Sequence, residues 1–253
     1  MILAAVSLAA GLLLQPMPLA PLQHALPAAA GGGRGGRGAH CVASSADTDA
    51  LELKAELFEL LAEVQNRGIN APAELADDIL EVATELDECD VGFGWAQSPS
   101  LPGTWLLRYT SSRTFANNEG LTAYGKDIAG VATPELRMKI SNPKIAKIVE
   151  YVEPVTLEEG SFAALLGKFA GADAVRAECS WNEARDGAMA VVTQRIIVGD
   201  REWQPADRQD KAIRALSAAR PVFLDDDLLV MRSNPEYIVW VFSKVSAAAG
   251  ERR

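Results

Sequence analysis

Hydrophobic residues recur every three or four positions through two stretches, near residues 48–67 and 72–86. Side chains at this spacing share one face of an α-helix, so each stretch predicts an amphipathic helix with a single apolar stripe. Gly68-Ile69-Asn70 separates the two stretches and suits a tight connection. The pattern therefore predicts a helical hairpin whose stripes cover each other or the outer wall of a sheet. A partner-binding role for the stripes is the alternative.

After residue 102 the apolar pattern changes to a period of two, which is typical of β-strands. The segments with this signal are residues 105–110, 121–124, 136–140, 145–152, 175–181, 189–198, 228–232 and 237–242. Strands with such short connections indicate a mainly β fold, an antiparallel barrel rather than alternating βαβ units. Two segments interrupt the strands: residues 161–169 predict a short helix, and residues 203–220 predict a short surface helix or loop.

The strand that opens on Gly103 predicts an apolar interior. Trp105, Leu107 and Tyr109 alternate along it, which places them on one face. A bulky apolar row suits the inside of a small antiparallel barrel, and such an interior can hold one apolar molecule. Trp105 is favoured as packing at the barrel floor, whereas Leu107 and Tyr109 are better candidates for ligand contact. The residues predicted to line the pocket are Trp105, Leu107, Tyr109, Val175, Ala177, Cys179, Trp181, Val191 and Trp240.

The distribution of charge divides the chain near residue 46. Residues 1–46 contain no acid and only Arg34 and Arg37 as fixed charges, and residues 1–14 are almost wholly apolar. This composition predicts a bipartite leader, a signal sequence followed by a plastid transit peptide. One unusual signal peptide or a disordered tail is the alternative. The predicted division is a leader over residues 1–46, a helical hairpin over 47–88, the barrel over 89–245 and a tail over 246–253.

The predicted mature body is acidic and contains no histidine. From Asp47 onward, 22 Lys and Arg stand against 34 Asp and Glu, which leaves a net charge of −12. Such a body argues against a duplex nucleic-acid partner and against broad docking on anionic lipid. His24 and His40 both lie in the predicted leader, so the body lacks the residue of common triads and metal sites. We therefore predict no enzyme activity, no catalytic residue, no metal and no cofactor.

Three ordered segments resemble the plastid lipid-associated protein family, also called plastoglobulins or fibrillins. The first is Asn66-Arg67-Gly68-Ile69 before an acidic helix, and the second is the Gly-x-Trp strand that ends in Tyr109-Thr110-Ser111. The third is the acidic run 223–228, followed by Arg232 and an apolar strand. The resemblance covers about residues 50–244.

The resemblance implies a lipocalin-like barrel with helices outside. It also implies residence in the plastid, at thylakoids or plastoglobules, and binding or coating of prenyl lipids, carotenoids or fatty acids. The predicted bipartite leader is consistent with a secondary plastid. The expected partner is thus a hydrophobic small molecule or a lipid surface, with peripheral membrane association. The alternative function is a structural lipid-droplet coat protein whose barrel is filled and has no ligand pocket. An enzyme acting on lipids or pigments is a third hypothesis.

In lipocalin-like barrels the last strand closes on the first, which predicts a contact near the C-terminus. We expect Arg232 to stack on Trp105 and help to close the barrel. Asp225 or Asp227 is expected either to accept backbone hydrogen bonds or to pair with Arg232. A metal site on this acidic run is disfavoured, because adjacent carboxylates on a strand do not face one point.

Overall fold

The computed structural model of the chain describes residues 45–89, 94–127, 129–157, 173–203, 207–233 and 238–245. The predicted leader (apart from its last two residues), the predicted helix over residues 161–169 and the predicted tail lie outside the described residues.

The predicted helical hairpin is confirmed. Helix α1 (Ser45–Glu63) and helix α2 (Ala73–Glu88) pack together, and the short 3₁₀ segment Asn66–Gly68 lies between them. Helix α1 ends before the predicted limit, because Gln65 has an extended backbone with φ of −104° and ψ of 149°. Arg67, further along the connection, is left-handed with φ of 59°. Gly68 is also left-handed, and a Cβ there would lie 2.5 Å from Cδ2 of Tyr109. Glycine therefore allows the connection to press against the sheet.

Eleven strands follow in the described part of the chain. They are β1 (Gly103–Thr110), β2 (Val131–Ala132), β3 (Arg137–Ile140), β4 (Ile148–Pro154), β5 (Thr156–Leu157), β6 (Ala174–Glu183), β7 (Met189–Val198), β8 (Arg201–Trp203), β9 (Ala219–Leu224), β10 (Leu228–Ser233) and β11 (Val239–Lys244). Nine of them form one antiparallel sheet in the order β8-β7-β6-β4-β3-β1-β11-β10-β9, while β2 and β5 pair separately. The chain is thus mixed α/β, a helix pair followed by a large antiparallel sheet.

The sheet is not closed by strand pairing. Strands β8 and β9 are its two edges, and within the described ranges no hydrogen-bonded ladder joins them. The sheet is nevertheless strongly curved, and this curvature brings Cα atoms of β7 and β9 within 8 Å of each other. A helix, α5 (Asp207–Ser217), contacts both strands and lies along this seam. The antiparallel sheet is confirmed, but the closed barrel is not. Sequence periodicity indicates where strands lie and carries no information on whether the two edge strands pair.

Helix α5 corrects the interpretation of residues 203–220 as a surface element. Its Ala212, Ile213 and Leu216 are at most 1 % exposed and pack in the sheet interior. The remainder of the helix is polar, so its apolar stripe is narrow and gives a weak signal. Strand β9 was missed in the same region, because its Pro221 weakens the strand pattern.

The predicted strand over residues 121–124 is wrong. The chain there makes a turn between two short helices, α3 (Arg113–Asn118) and α4 (Tyr124–Asp127). Ser112 caps α3, since its Oγ accepts a hydrogen bond from the backbone N–H of Phe115 at 3.3 Å. The N–H groups of Leu121 and Thr122 bind a side chain rather than a neighbouring strand, so an apolar run that resembles a strand does not become one.

Two hydrophobic clusters lie on opposite faces of the sheet. The outer cluster joins the helix pair to β1, β9, β10 and β11, and it consists mainly of Leu57, Leu61, Leu75, Ile79, Val82, Leu86, Tyr109, Val222, Leu228, Val230, Val239 and Val241. The inner cluster fills the concave face, and its largest members include Trp105, Phe115, Tyr151, Trp181, Trp240 and Phe242. The apolar stripes of both helices are thus used for packing on the sheet.

The prediction that Tyr109 shares a face with Trp105 and Leu107 is wrong. The register of β1 against β11 shifts between Leu107 and Tyr109, which is the mark of a β-bulge. An extra residue in a strand inverts the alternation beyond it. Trp105 and Leu107 therefore belong to the inner cluster, whereas Tyr109 lies in the outer cluster below Gly68.

Candidate functional site

The curved sheet brings eight of the nine predicted pocket residues into the inner cluster. They are Trp105, Leu107, Val175, Ala177, Cys179, Trp181, Val191 and Trp240, and their exposed fractions lie between 0 and 9 %. Tyr109 is the exception, for the reason given above. Strands β1, β6, β7 and β11 therefore place one apolar row each on a shared face.

The inner cluster is densely filled. Trp105, Tyr151, Trp181, Trp240 and Phe242 are each less than 2 % exposed. A side chain without accessible surface has neither solvent nor a water-sized void beside it. These aromatic side chains therefore pack against their neighbours, and a ligand among them would need some of them to move.

Trp105 has a fully satisfied environment. Its Nε1 donates a hydrogen bond to the backbone oxygen of Leu101 at 2.9 Å. The ammonium of Lys244, whose Cα pairs with that of Trp105 across β1 and β11, lies 5.0 Å from the centre of the indole ring. Both contacts agree with the floor-packing interpretation of Trp105.

The predicted stacking of Arg232 on Trp105 is wrong. Arg232 pairs with Val239, five positions along β11 from the partner of Trp105. Its Nη1 instead lies 3.4 Å from Oδ2 of Asp87 at the end of α2. The last strand does pair with the first, as predicted, but Lys244 supplies the cation at Trp105.

The acidic run before β10 anchors helix α1. Oδ1 of Asp225 accepts backbone hydrogen bonds from Asp227 at 3.0 Å and from Leu228 at 2.8 Å, which confirms that expectation. Its Oδ2 lies 2.6 Å from Nζ of Lys54, which also contacts Asp227. Burial opposes ionisation of Asp225, but these hydrogen bonds outweigh it and lower its pKa. The expected pairing with Arg232 is absent from the described contacts, because Lys54 takes its place.

Three donors in the inner cluster have no acceptor among the described residues. The hydroxyl of Tyr151 and the Nε1 atoms of Trp181 and Trp240 are buried and make no hydrogen bond within that part of the chain. Burial raises the pKa of Tyr151 well above its ordinary value, so its hydroxyl keeps its proton. Leaving such a group buried and unpaired costs about 1–3 kcal/mol. Trp95, which stacks on Trp181 at 5.5 Å, instead donates to the oxygen of Gly187 at 2.9 Å.

Arg67 lies at one end of the interior. We call this region the Arg67 end, and it consists of Arg67, Phe115, Glu153 and Trp240. Cζ of Arg67 lies 5.2 Å from the ring centre of Phe115, and Phe115 meets Trp240 edge-on at 5.8 Å. Arg67 is 9 % exposed, and among the described residues it hydrogen-bonds only to Asn66, from Nη2 to Oδ1 at 3.1 Å. Its Nε and Nη1 have no hydrogen-bond partner in the described part of the chain. Burial lowers the pKa of Arg67, although Glu153 and Glu119 act in the opposite direction.

Glu153 is fully buried beside this arginine but is satisfied by other groups. Its Oε1 accepts the N–H of Leu121 at 2.5 Å, and Oε2 accepts the N–H of Thr122 at 3.0 Å and its hydroxyl. Burial raises the pKa of Glu153, while these hydrogen bonds and Arg67 oppose the rise. A Cβ at Gly120 would collide with Oε1, so glycine permits the close approach. Glu153 therefore does not occupy the free N–H groups of Arg67.

Sequence reasoning missed Arg67, Tyr151 and Glu153 as candidate site residues. A weak signal exists on β4, where Val149, Tyr151 and Glu153 alternate onto the buried face. A glutamate that continues an apolar row is unusual, because unpaired acids are rarely buried. For Arg67 the sequence gives no comparable signal, since its burial depends on the turn between the two helices.

A separate cavity of about 540 Å³ lies at the connection between the two helices, beside the end of α1 and the start of α2. Its lining mixes apolar residues with acids and amides, among them Leu60, Glu63, Asn66, Glu74 and Asp78. None of the predicted pocket residues lines it. It is a surface concavity of the hairpin and is distinct from the inner cluster.

Within the described residues, no three or more His, Cys, Asp or Glu side chains are arranged to hold a metal ion. None of the helices described is long and apolar enough to cross a bilayer. Comparison of the chain with models of protein families, with curated proteins and with solved structures finds no match in any of the three.

Proposed function

We propose that this protein is a lipid-associated protein that binds a hydrophobic molecule carrying an oxygen acceptor on the concave face of its sheet. The observation that carries the proposal is the set of unpaired donors on Tyr151, Trp181 and Trp240 within an otherwise apolar interior. Folding alone does not favour such donors, because phenylalanine in their place would avoid the cost. A ligand oxygen would offset that cost and fix the ligand's orientation.

The lipocalin-like barrel is part of this proposal. Pairing of β11 with β1 and the approach of β7 to β9 support it. Helix α5 supplies the wall where strand pairing is missing, with Ile213 and Leu216 directed into the interior cluster. Movement of α5 would make room for a ligand without breaking a β-ladder, since no hydrogen-bonded strand pair crosses the seam in the described sheet. Ligand entry is therefore expected at this seam.

The proposed location is the plastid, at thylakoids or plastoglobules. The acid-free composition of residues 1–46 and the resemblance of residues 50–244 to plastid lipid-associated proteins support it. Prenyl lipids, carotenoids and fatty acids are the ligand classes that this resemblance implies. No catalytic step is part of the proposal.

A second candidate is a structural coat protein with a filled interior. The complete burial of Trp105, Tyr151 and Trp240 favours it, because no open space adjoins these side chains. Such a protein would act through contact with a lipid surface and would take up no ligand.

Tryptophan quenching by a brominated lipid separates the two candidates. Bromine quenches only those indoles that the acyl chain contacts, and three tryptophans lie in the inner cluster beside Trp95. Titration of the full chain with methyl dibromostearate should give quenching that saturates at one probe per chain and is reversed by unbrominated methyl stearate. The coat function instead predicts no saturable quenching in solution, together with flotation of the protein on lipid droplets.

A further inference from the structure

We infer that Arg67 binds the carbonyl oxygen of an uncharged lipid, so that the Arg67 end holds the ligand's head and the apolar interior holds its chain. This inference rests on the proposed function and adds the position and the chemical class of the head group. It begins from Nε and Nη1 of Arg67, which are buried and have no hydrogen-bond partner among the residues that the structure describes.

Arg67 has free donors, and no counter-ion in the described part of the chain occupies them. Among the described contacts only its Nη2 makes a hydrogen bond, to the amide oxygen of the adjacent Asn66. No ion pair within the described contacts includes Arg67, and both oxygens of Glu153 are already bound by Leu121 and Thr122. Hydrogen bonds from a charged donor are stronger than neutral ones, so a free guanidinium edge is a strong site for an oxygen acceptor.

The surroundings of Arg67 favour a neutral acceptor over an anion. The charged groups that act on the guanidinium are Glu153 and Glu119, and both are acidic. Two carboxylates already act on this one cation electrostatically, so a further negative charge would meet repulsion in a region of low dielectric. A ketone, ester or quinone oxygen accepts the same hydrogen bonds without adding charge.

The neighbouring rings suit the rest of such a ligand. Phe115 lies against the guanidinium, and Trp240 meets Phe115 edge-on. Both belong to the inner cluster, so an apolar body that begins at Arg67 continues directly into the interior. The unpaired Nε1 of Trp240 offers a second donor at the same end.

Three probes with the same brominated chain test the inference on the full-length protein at about pH 8. They are dibromooctadecane, which has no carbonyl, methyl dibromostearate, which has a neutral carbonyl, and dibromostearate, which is an anion. We expect the ester to bind about tenfold more tightly than the alkane, because it gains hydrogen bonds from a charged donor. The anion should bind more weakly than the ester.

Substitution of Arg67 assigns the effect to this residue. In Arg67→Met the affinities for ester and alkane should become equal, whereas Arg67→Lys should retain part of the difference. Arg137→Met is the matched control, since Arg137 is exposed and pairs only with Glu135 among the described residues, and it should behave as wild type. Arg67→Met should fold, because among the described residues Arg67 has no ion pair and hydrogen-bonds only to its neighbour, while methionine keeps an apolar contact with Phe115 and Glu153 keeps its hydrogen bonds to Leu121 and Thr122.

The outcomes distinguish this inference from the proposed function. If all three probes bind the wild type equally, or if the anion binds best, the neutral-carbonyl site is wrong while ligand binding stands. If none of the probes quenches the tryptophans, the proposed function fails and the inference fails with it. If Arg67→Met does not fold, NMR of the arginine Nε–H groups replaces it. The resonance that is present in the wild type and missing in Arg67→Lys is then assigned to Arg67. That resonance must shift with the ester and not with the alkane, and an unchanged resonance would overturn the inference.

Discussion

The two faces of β1, β9, β10 and β11 are both buried, but they are built differently. The outer face meets the helix pair almost entirely through aliphatic side chains. The inner face carries large aromatic side chains. Among the described residues, the indole N–H of Trp240 on this face and the hydroxyl of Tyr151 across the interior have no hydrogen-bond acceptor. The outer face thus contains what stability requires, whereas the inner face keeps polar groups that stability does not explain. This difference is the basis for placing function inside the sheet.

Charged pairs reinforce the contrast at the outer face. Lys54 of α1 binds Asp225, and Asp87 of α2 binds Arg220 at 2.6 Å and Arg232 at 3.4 Å. Each helix is therefore fixed to the sheet by complementary charge at the border of an apolar contact. Arg67, at the end of the inner face, has no such partner among the described residues.

The largest expected effect is at the centre of the outer contact. Ile79→Ala removes a side chain that is 0 % exposed and leaves a cavity between α2 and the sheet. We expect a loss of about 2–5 kcal/mol in the free energy of unfolding, measured by urea denaturation. Leu51→Ala on α1 is the control, because Leu51 is 64 % exposed and should lose less than ~0.5 kcal/mol. Equal losses would show that the helix pair is not packed on the sheet as described.

The next effect concerns the connection between the helices. Gly68→Ala adds a Cβ that lies 2.5 Å from the buried ring of Tyr109, at a φ of +84°. Gly187→Ala is matched, because Gly187 has a φ of +81° but nothing lies within 4 Å of its added Cβ. Backbone strain alone should cost the control about 1 kcal/mol, and the clash should raise the loss at Gly68 to about 2–3 kcal/mol. Similar losses would contradict the close approach of the connection to β1.

A smaller effect is expected for the charge that anchors α1. Lys54→Met removes the partner of Asp225 and should cost about 1 kcal/mol at neutral pH. Because the folded-state pKa of Asp225 lies below its ordinary value of 3.8, this contribution is complete above that value. It is lost as the pH falls through the lowered pKa. The stability difference between wild type and variant, measured across this range, should therefore shrink in acid, and a constant difference would exclude an ionic origin.

The smallest change in stability is expected on the inner face. Tyr151→Phe removes a buried hydroxyl that has no partner among the described residues. The gain from removing an unpaired group is partly offset by the small void that the missing oxygen leaves, so the free energy of unfolding should stay the same or rise by up to ~1 kcal/mol. Thr122→Val removes a buried hydroxyl that does bind Glu153, and this control should lose about 1–3 kcal/mol. The free energies of unfolding of the two variants, measured by urea denaturation, show how much the paired hydroxyl and the unpaired hydroxyl each contribute to stability. A clear loss in Tyr151→Phe would mean that its hydroxyl serves the fold.

Local patterns in the sequence predict most of the elements of this fold. Strand β7 has the predicted limits 189–198, and the Asp186-Gly187 turn joins it to β6 as that dipeptide indicates. The stripes of α1 and α2 predict their buried faces. These features depend on neighbours within one or two turns, or within one hairpin, so their signal is local.

The rest depends on contacts between distant segments. The bulge that turns Tyr109 outward gives no signal in the alternation of β1, and the predicted Arg232 contact failed because it depended on register. Arg67 is buried against Phe115, which is 48 residues away in the sequence, and Glu153 binds residues about 30 positions away. The sequence therefore predicts an apolar interior but not the unpaired donors within it.

The central claim is that the unmet donors of the inner face serve a ligand rather than the fold. The most direct test is the free energy of unfolding of the full-length wild type with and without methyl stearate. A ligand that binds only the folded state at 100 times its Kd should raise this free energy by about 2.7 kcal/mol. A value unchanged by the ester, with the inner tryptophans equally unaffected, would contradict the claim and leave a filled interior with a purely structural role.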